Sequence, residues 1–140
     1  MFNRILVALK FTPASQSVLK KGIELAKKNE AELHIFHALD YHLKELEEDD
    51  PKLVEIKNET KNKYNMEVKP LLNGFHNVKF GCQPADPALE ICKIARHNDT
   101  DLIILGSHQR PEEKTAMGRI DYVGMTILEK CAIPEAISSS

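Results

Sequence analysis

Asp101-Leu102-Ile103-Ile104-Leu105-Gly106 is a run of four consecutive large apolar residues closed by glycine, followed by the polar stretch Ser107 to Thr115. Its only counterpart in strength is Arg4-Ile5-Leu6-Val7-Ala8-Leu9 at the other end of the chain. Strands that are apolar on both sides are covered on both faces, which is the condition of a central strand in a parallel α/β sheet. Upstream of Asp101, Asp86-Pro87 forms an N-cap and first-turn pair, and Ala88, Ile91, Cys92 and Ala95 make the buried stripe of the helix it opens. Downstream, Ile120, Val123, Gly124, Ile127, Leu128 and Cys131 are spaced as another amphipathic helix, and Pro134 to Ile137 read as a short fifth strand before a frayed tail at 138–140.

The rest of the chain repeats the alternation. Thr12-Pro13 caps a helix carrying Val18, Leu19, Gly22, Ile23 and Ala26 on one stripe, and Lys27-Lys28-Asn29 end it with cations at the negative pole of the helix dipole. Glu32 to Ala38 is a second strand and Val78 to Cys82 a short third. Between them, the charged stretch 44–69 carries Leu53, Ile56, Tyr64, Val68, Leu71, Leu72 and Phe75 at mostly helical spacing. It predicts one or two helices with a solvated face, broken near Pro51 and Pro70. Strand and helix alternate four times and a strand closes the chain. The expectation is one domain over 1–140, a parallel α/β sheet with right-handed crossovers.

Composition narrows the function classes. The 19 basic and 21 acidic residues give a net charge of −2, which leaves no basic footprint for nucleic acid and no polybasic patch for a membrane surface. No apolar run approaches the ~18 residues of a membrane span. The opening MFNRILVALKF ends its apolar run at Lys10 without a small-residue cleavage site, so it reads as a buried strand and not a signal peptide. Three cysteines, Cys82, Cys92 and Cys131, are an odd number with no Cys-x-x-Cys pair, and the expectation is a reducing, cytoplasmic compartment with no metal site. Cys92 reads as core packing; Cys82 and Cys131 stand near element ends, where packing and a reactive thiol are both weighed.

In a parallel sheet of this kind ligands bind beyond the carboxyl ends of the strands, where the strand order reverses. Strand 1 ends at Leu9-Lys10-Phe11-Thr12 and strand 4 at Gly106-Ser107-His108. If the two are neighbours, their loops face one crevice, and the helix starts at Thr12, at Asp86 and near Gly118 offer N–H donors to an anion. His34 and His37 lie three apart in a strand, point to opposite faces and cannot share a metal; a structural hydrogen bond suits His37. His42, His76 and His97 read as surface residues. Ser107-His108 lacks the Gly-x-Ser-x-Gly elbow and an orienting carboxylate, so no catalytic residue is assigned.

Asn98-Asp99-Thr100-Asp101-Leu102 followed by Ile103-Ile104-Leu105-Gly106-Ser107-His108 resembles the universal stress protein family, whose fourth strand ends in a Gly-Ser-[His/Arg]-Gly loop. Arg4 to Val7, Leu33 to Ala38, Gln83-Pro84-Ala85 and Pro134 resemble further family segments in the right order. The resemblance implies a Rossmann-like five-stranded parallel sheet, order 3-2-1-4-5, with helices on both faces, and a homodimer. Some members bind ATP through Gly-x2-Gly-x9-Gly-[Ser/Thr] after strand 4 and an Asp at the end of strand 1. Here Gly106 fits the first glycine, but Gln109 and Arg119 stand at the next two; Gly118 serves only if the loop is one residue shorter, and aligning back from Pro134 puts Asp121 and Tyr122 at the last pair. Lys10 replaces the Asp, and an ammonium accepts no hydrogen bond. Pro111 stiffens the loop, and Glu112 and Glu113 would repel phosphates.

The candidate nucleotide or anion crevice is therefore Lys10, Thr12, Ala38, Gly106, Ser107, His108, Gly118 and Arg119, with a degenerate nucleotide-binding motif. Lys10, His108, Arg110, Lys114 and Arg119 gather there as cations, or stand exposed and paired with Glu112, Glu113 and Asp121. The expected function is a cytoplasmic stress-response or signalling module, non-enzymatic, without a cofactor, homodimeric through the edge strand 134–137 and acting through protein partners not identified by the sequence. The alternative is an adenine-nucleotide protein, ATP included, with a remodelled phosphate loop and slow hydrolysis. A metabolic enzyme on the same sheet would need an acid–base pair that the sequence does not assemble.

Overall fold

The computed structural model describes residues 2–107 and the backbone of 135–139. The elements are β1 (Arg4–Ala8), α1 (Pro13–Asn29), β2 (Glu32–Leu39), a short turn of 3-10 helix (Tyr41–Glu45), α2 (Pro51–Lys63), a π-helical turn (Tyr64–Val68), α3 (Lys69–Leu72), β3 (Val78–Pro84), α4 (Pro87–His97), β4 (Leu102–Ser107) and β5 (Glu135–Ser139). The helix expected on Ile120 to Cys131 lies outside the described residues.

The body of the sheet is parallel and runs β3-β2-β1-β4, with the backbone of β5 alongside β4. Ser138 and Ser139, expected as frayed tail, lie in strand register opposite Gly106 and Ser107, and Pro134, the expected start of the strand, lies outside the described residues. Two serines carry no hydrophobic pattern, and only the ladder with β4 makes them strand.

Period-two alternation divides the core into two layers. Ile5, Val7, Leu33, Ile35, Leu102 and Ile104 face α1, the π-turn and α3, while Leu6, Phe36 and Ile103 face Ile91, Cys92 and Ala95 of α4. The right-handed crossover rule accounts for the split: moving from β1 to β3 places α1 and α2 on one face, and returning to β4 places α4 on the other.

Pro51 opens α2 at its first turn, as its missing N–H allows. Pro70 does not end the helix as expected. The Lys69 N–H reaches back five residues to the Tyr64 carbonyl, so the helix widens into the π-turn just before the residue that cannot donate. The helix stops at Asn73 and Gly74, both left-handed at φ 47° and 86°.

Candidate functional site

The order β3-β2-β1-β4 reverses direction between β1 and β4, which makes their carboxyl ends the switch point. Of the expected crevice residues, Lys10, Thr12 and Ala38 are described with their surroundings, and Gly106 and Ser107 as the last two residues of β4. His108, Gly118 and Arg119 lie outside the described residues, as do Arg110, Lys114 and Cys131. The register places β1 against β4 as neighbours, Val7 opposite Ile104, so the loop after β1 and the end of β4 border one another.

The loop after β1 is held by its own polar groups. The Leu9 N–H donates to the Phe36 carbonyl at 2.8 Å, and the Thr12 N–H to the Lys10 carbonyl at 2.9 Å. The Lys10 N–H donates to the buried Ser15 Oγ at 3.0 Å, and the Ser15 N–H to Thr12 Oγ1 at 3.3 Å. Beneath the loop, Lys10, Phe11, Thr12, Glu67 and Val68 border a cavity of about 10 Å³, room for one water at most.

These bonds reduce the donors that the two described helix starts offer to an anion. In α1, Pro13 has no N–H and that of Ser15 is taken by Thr12. In α4, Pro87 has none, and both the Ala88 and Leu89 N–H groups donate to Asp86 Oδ1, at 3.0 and 3.4 Å. A capping carboxylate also puts negative charge where an anion would arrive. The capping residues were visible in the sequence; that their side chains take the Ser15, Ala88 and Leu89 donors follows from geometry.

Ala38 stands half-buried near the end of β2, on the α4 face with Ala8, both packed against the Leu6 and Phe36 cluster. Two methyl groups therefore floor this side of the sheet's carboxyl end.

His37 makes the structural hydrogen bond expected of it. Nδ1 lies 2.8 Å from the Leu9 carbonyl, and since a carbonyl only accepts, Nδ1 carries the proton. Its ring meets Phe11 edge-on at 4.9 Å, and the Lys63 ammonium stands 5.6 Å over the Phe11 ring. Phe11 and Lys63 escaped the sequence reading because nothing local links a loop residue to the end of a helix fifty residues on.

His34 lies on the opposite face, and its Nδ1 is buried with no hydrogen-bond partner. Burial, then the Lys79 ammonium, lower its pKa below 6.5, with Glu32 opposing. Burial likewise lowers His37 from 6.5, against the Leu9 carbonyl and with help from Lys63. Both groups are neutral in the fold at neutral pH. The unfolded chain binds their protons near pH 6.5 and the folded chain only at lower pH, so between those values unfolding takes up protons. Stability should be full above about pH 6.5 and fall as the pH drops through the folded-state values. Urea midpoints measured across this range check the sign, and His37→Gln, which keeps a donor for Leu9 but does not titrate, should flatten the dependence.

Cys82 is half-buried, and burial raises its pKa, with Lys57 and Lys61 acting in the opposite direction. A thiol held protonated is a poor nucleophile, which favours packing for Cys82. Cys92 is buried in the α4 layer with Leu6, Ile91 and Ala95, the packing role expected of it. Among the described residues no three His, Cys, Asp or Glu side chains gather to hold a metal, and no helix is long and apolar enough to cross a membrane.

The model of the universal stress protein family matches residues 1–134. No curated protein matches the chain. Among solved structures, the hypothetical protein MJ0577 aligns with a TM-score of 0.81 at 26% identity, over 100% of this chain and 97% of that one. The universal stress protein from Archaeoglobus fulgidus in complex with dAMP aligns at 0.69 and 17% identity, over 96% of each chain. A universal stress protein in complex with cAMP aligns at 0.66 and 14% identity, over 99% of this chain and 97% of that one.

Proposed function

The chain belongs to the universal stress protein family, and we propose that within it the protein is a non-enzymatic stress-response or signalling module of the cytoplasm that does not bind ATP tightly. The observation that carries this reading is the loop after β1. Lys10 occupies the position where ATP-binding members have an Asp, and at the helix starts Thr12 takes the Ser15 N–H and Asp86 those of Ala88 and Leu89. A triphosphate would have to displace those caps, at about 1 kcal/mol each. The departures at Gln109 and Arg119 act in the same direction.

The module works as a homodimer joined at the β5 edge. β5 borders only β4 in the sheet order, and the outer N–H and C=O groups of an edge strand are a template for pairing with a second chain.

A second reading is favoured by the complexes with dAMP and cAMP, two adenine nucleotides with a single phosphate. Such a ligand asks less of a phosphate loop than ATP does. Ala8 and Ala38 would floor the base, with Lys10 near the phosphate.

Calorimetric titration of nucleotide-stripped protein separates the readings. No heat with ATP or AMP at millimolar concentration supports the partner-contact module. Low-micromolar binding of ATP, about −8 kcal/mol, overturns it. Binding of AMP without ATP establishes the second reading.

A further inference from the structure

β3 is the other edge of the sheet, bordering only β2. The Asn77 carbonyl accepts from Leu33 and the Ala85 N–H donates to Leu39, so the odd-numbered residues of this strand face β2. In a strand the N–H and C=O of one residue point the same way, and those of Phe80 and Cys82 therefore point outward. On the α2 side, a groove of about 470 Å³ runs beside this edge. Leu72, Phe75, Val78 and Phe80 form its floor, with Tyr64 stacked on Phe80 at 4.3 Å, and Lys69 and His76 stand on its rim.

Basic side chains stand on this flank. Lys57 and Lys61 of α2 stand close enough to Cys82 to act on its ionisation, and Lys69, directly after the π-turn, borders the groove. Among the described residues no carboxylate lines the groove. Lys79, whose side chain shares the opposite face with His34, is paired there with Glu32 at 3.4 Å. Lysines beside an open edge repel a basic strand and attract an acidic one, so the edge discriminates by charge.

We propose that the β3 edge is a docking site for an extended acidic segment of a partner protein, added as a strand, with its apolar side chains on Phe75 and Phe80 and its carboxylates toward Lys57, Lys61 and Lys69. Main-chain bonds to Phe80 and Cys82 supply affinity, and the groove and lysines supply selection. The proposal deepens the partner-contact reading and rests on it; nucleotide calorimetry tests that reading separately.

The test uses the full chain with isotope-labelled amides, at low salt, and two acetylated heptapeptides. One alternates Glu with Val and Phe; the other has Lys in place of each Glu. The acidic peptide should bind about tenfold tighter or more, shifting the amides of Val78 to Cys82. The triple variant Lys57→Glu, Lys61→Glu, Lys69→Glu, all on the helix exterior, should reverse the preference. Equal affinity for both peptides, no binding, or shifts centred elsewhere would overturn the proposal. So would a triple variant that keeps the acidic preference. Shifts at Val78 to Cys82 that grow with protein concentration alone would show a second copy on the edge, which overturns it too.

Discussion

Gly22→Ala should lower the urea midpoint of unfolding, although alanine is the better helix former by about 1 kcal/mol. A Cβ at Gly22 would lie 2.5 Å from Val7 Cγ2, closer than atoms can pack, while Ile104 and Leu33 at 3.8 Å are ordinary contacts. Val7 is fully buried in β1 and β-branched, so its methyl cannot swing aside. Overpacking of this kind costs about 1–3 kcal/mol, and the net loss should reach up to about 2 kcal/mol once the helix gain of about 1 kcal/mol is subtracted. The decisive comparison is a double-mutant cycle. In the Val7→Ala background the obstructing methyl is gone, and Gly22→Ala should turn stabilising by up to about 1 kcal/mol. If Gly22→Ala raises the midpoint in the parent protein, α1 does not approach β1 as closely as described.

The second large effect is expected at Asp101. Its Oδ2 accepts from the Asn3 N–H at 2.6 Å and the Arg4 N–H at 2.8 Å, and its own N–H donates to the Arg4 carbonyl at 2.8 Å. These bonds tie the first residues of β1 to the entrance of β4 across nearly a hundred residues of chain. Arg4 adds a bond to the Asn98 carbonyl at 3.0 Å; its ion pair with Asp99, at 3.7 Å and exposed, contributes little. Hydrogen bonds to a charged acceptor are worth about 1.5–3 kcal/mol, so Asp101→Ala should cost about 2 kcal/mol, allowing for partial exposure. Asp101→Asn keeps an oxygen acceptor without the charge and should lose about half as much. Chemical denaturation of the two variants provides the measurement; equal losses would show that the acceptor geometry contributes nothing.

How much of this protein is legible without coordinates depends on the range of the interaction involved. β1 and β4 are readable because a strand buried on both faces must be apolar at every position, and Ile103 and Ile104 indeed lie in opposite layers. The starts of α1, α2 and α4 are readable because capping is chemistry among near neighbours: Thr12 with Ser15, Asp50 with Lys52, Asp86 with Ala88. The structural bond of His37 is readable in kind, since a polar ring near a strand end needs a partner, but not in its address at Leu9.

The π-turn ahead of Pro70 is the instructive miss. Proline forbids one hydrogen bond, which reads as a break; burial of Tyr64 and Val68 against the sheet favours keeping the helix and widening its register instead. The candidate site divides in the same way. Lys10 in place of an acceptor is a one-residue observation that needs no structure. That Thr12 takes the Ser15 N–H, and Asp86 those of Ala88 and Leu89, requires knowing where each oxygen lies.

Pattern and local chemistry thus determine the class of the fold, the faces of its strands and helices, and the presence of a lysine at the end of β1, because each depends on residues within a turn or a strand of one another. Tertiary structure alone decides that Gly22 leaves room for Val7, that Ser138 and Ser139 become strand, and that Lys57 and Lys61 come near Cys82 while Lys69 borders the groove at Phe80. Each of those facts is a distance between residues remote in sequence, and such a distance exists only once the chain has paid the entropy of bringing them together.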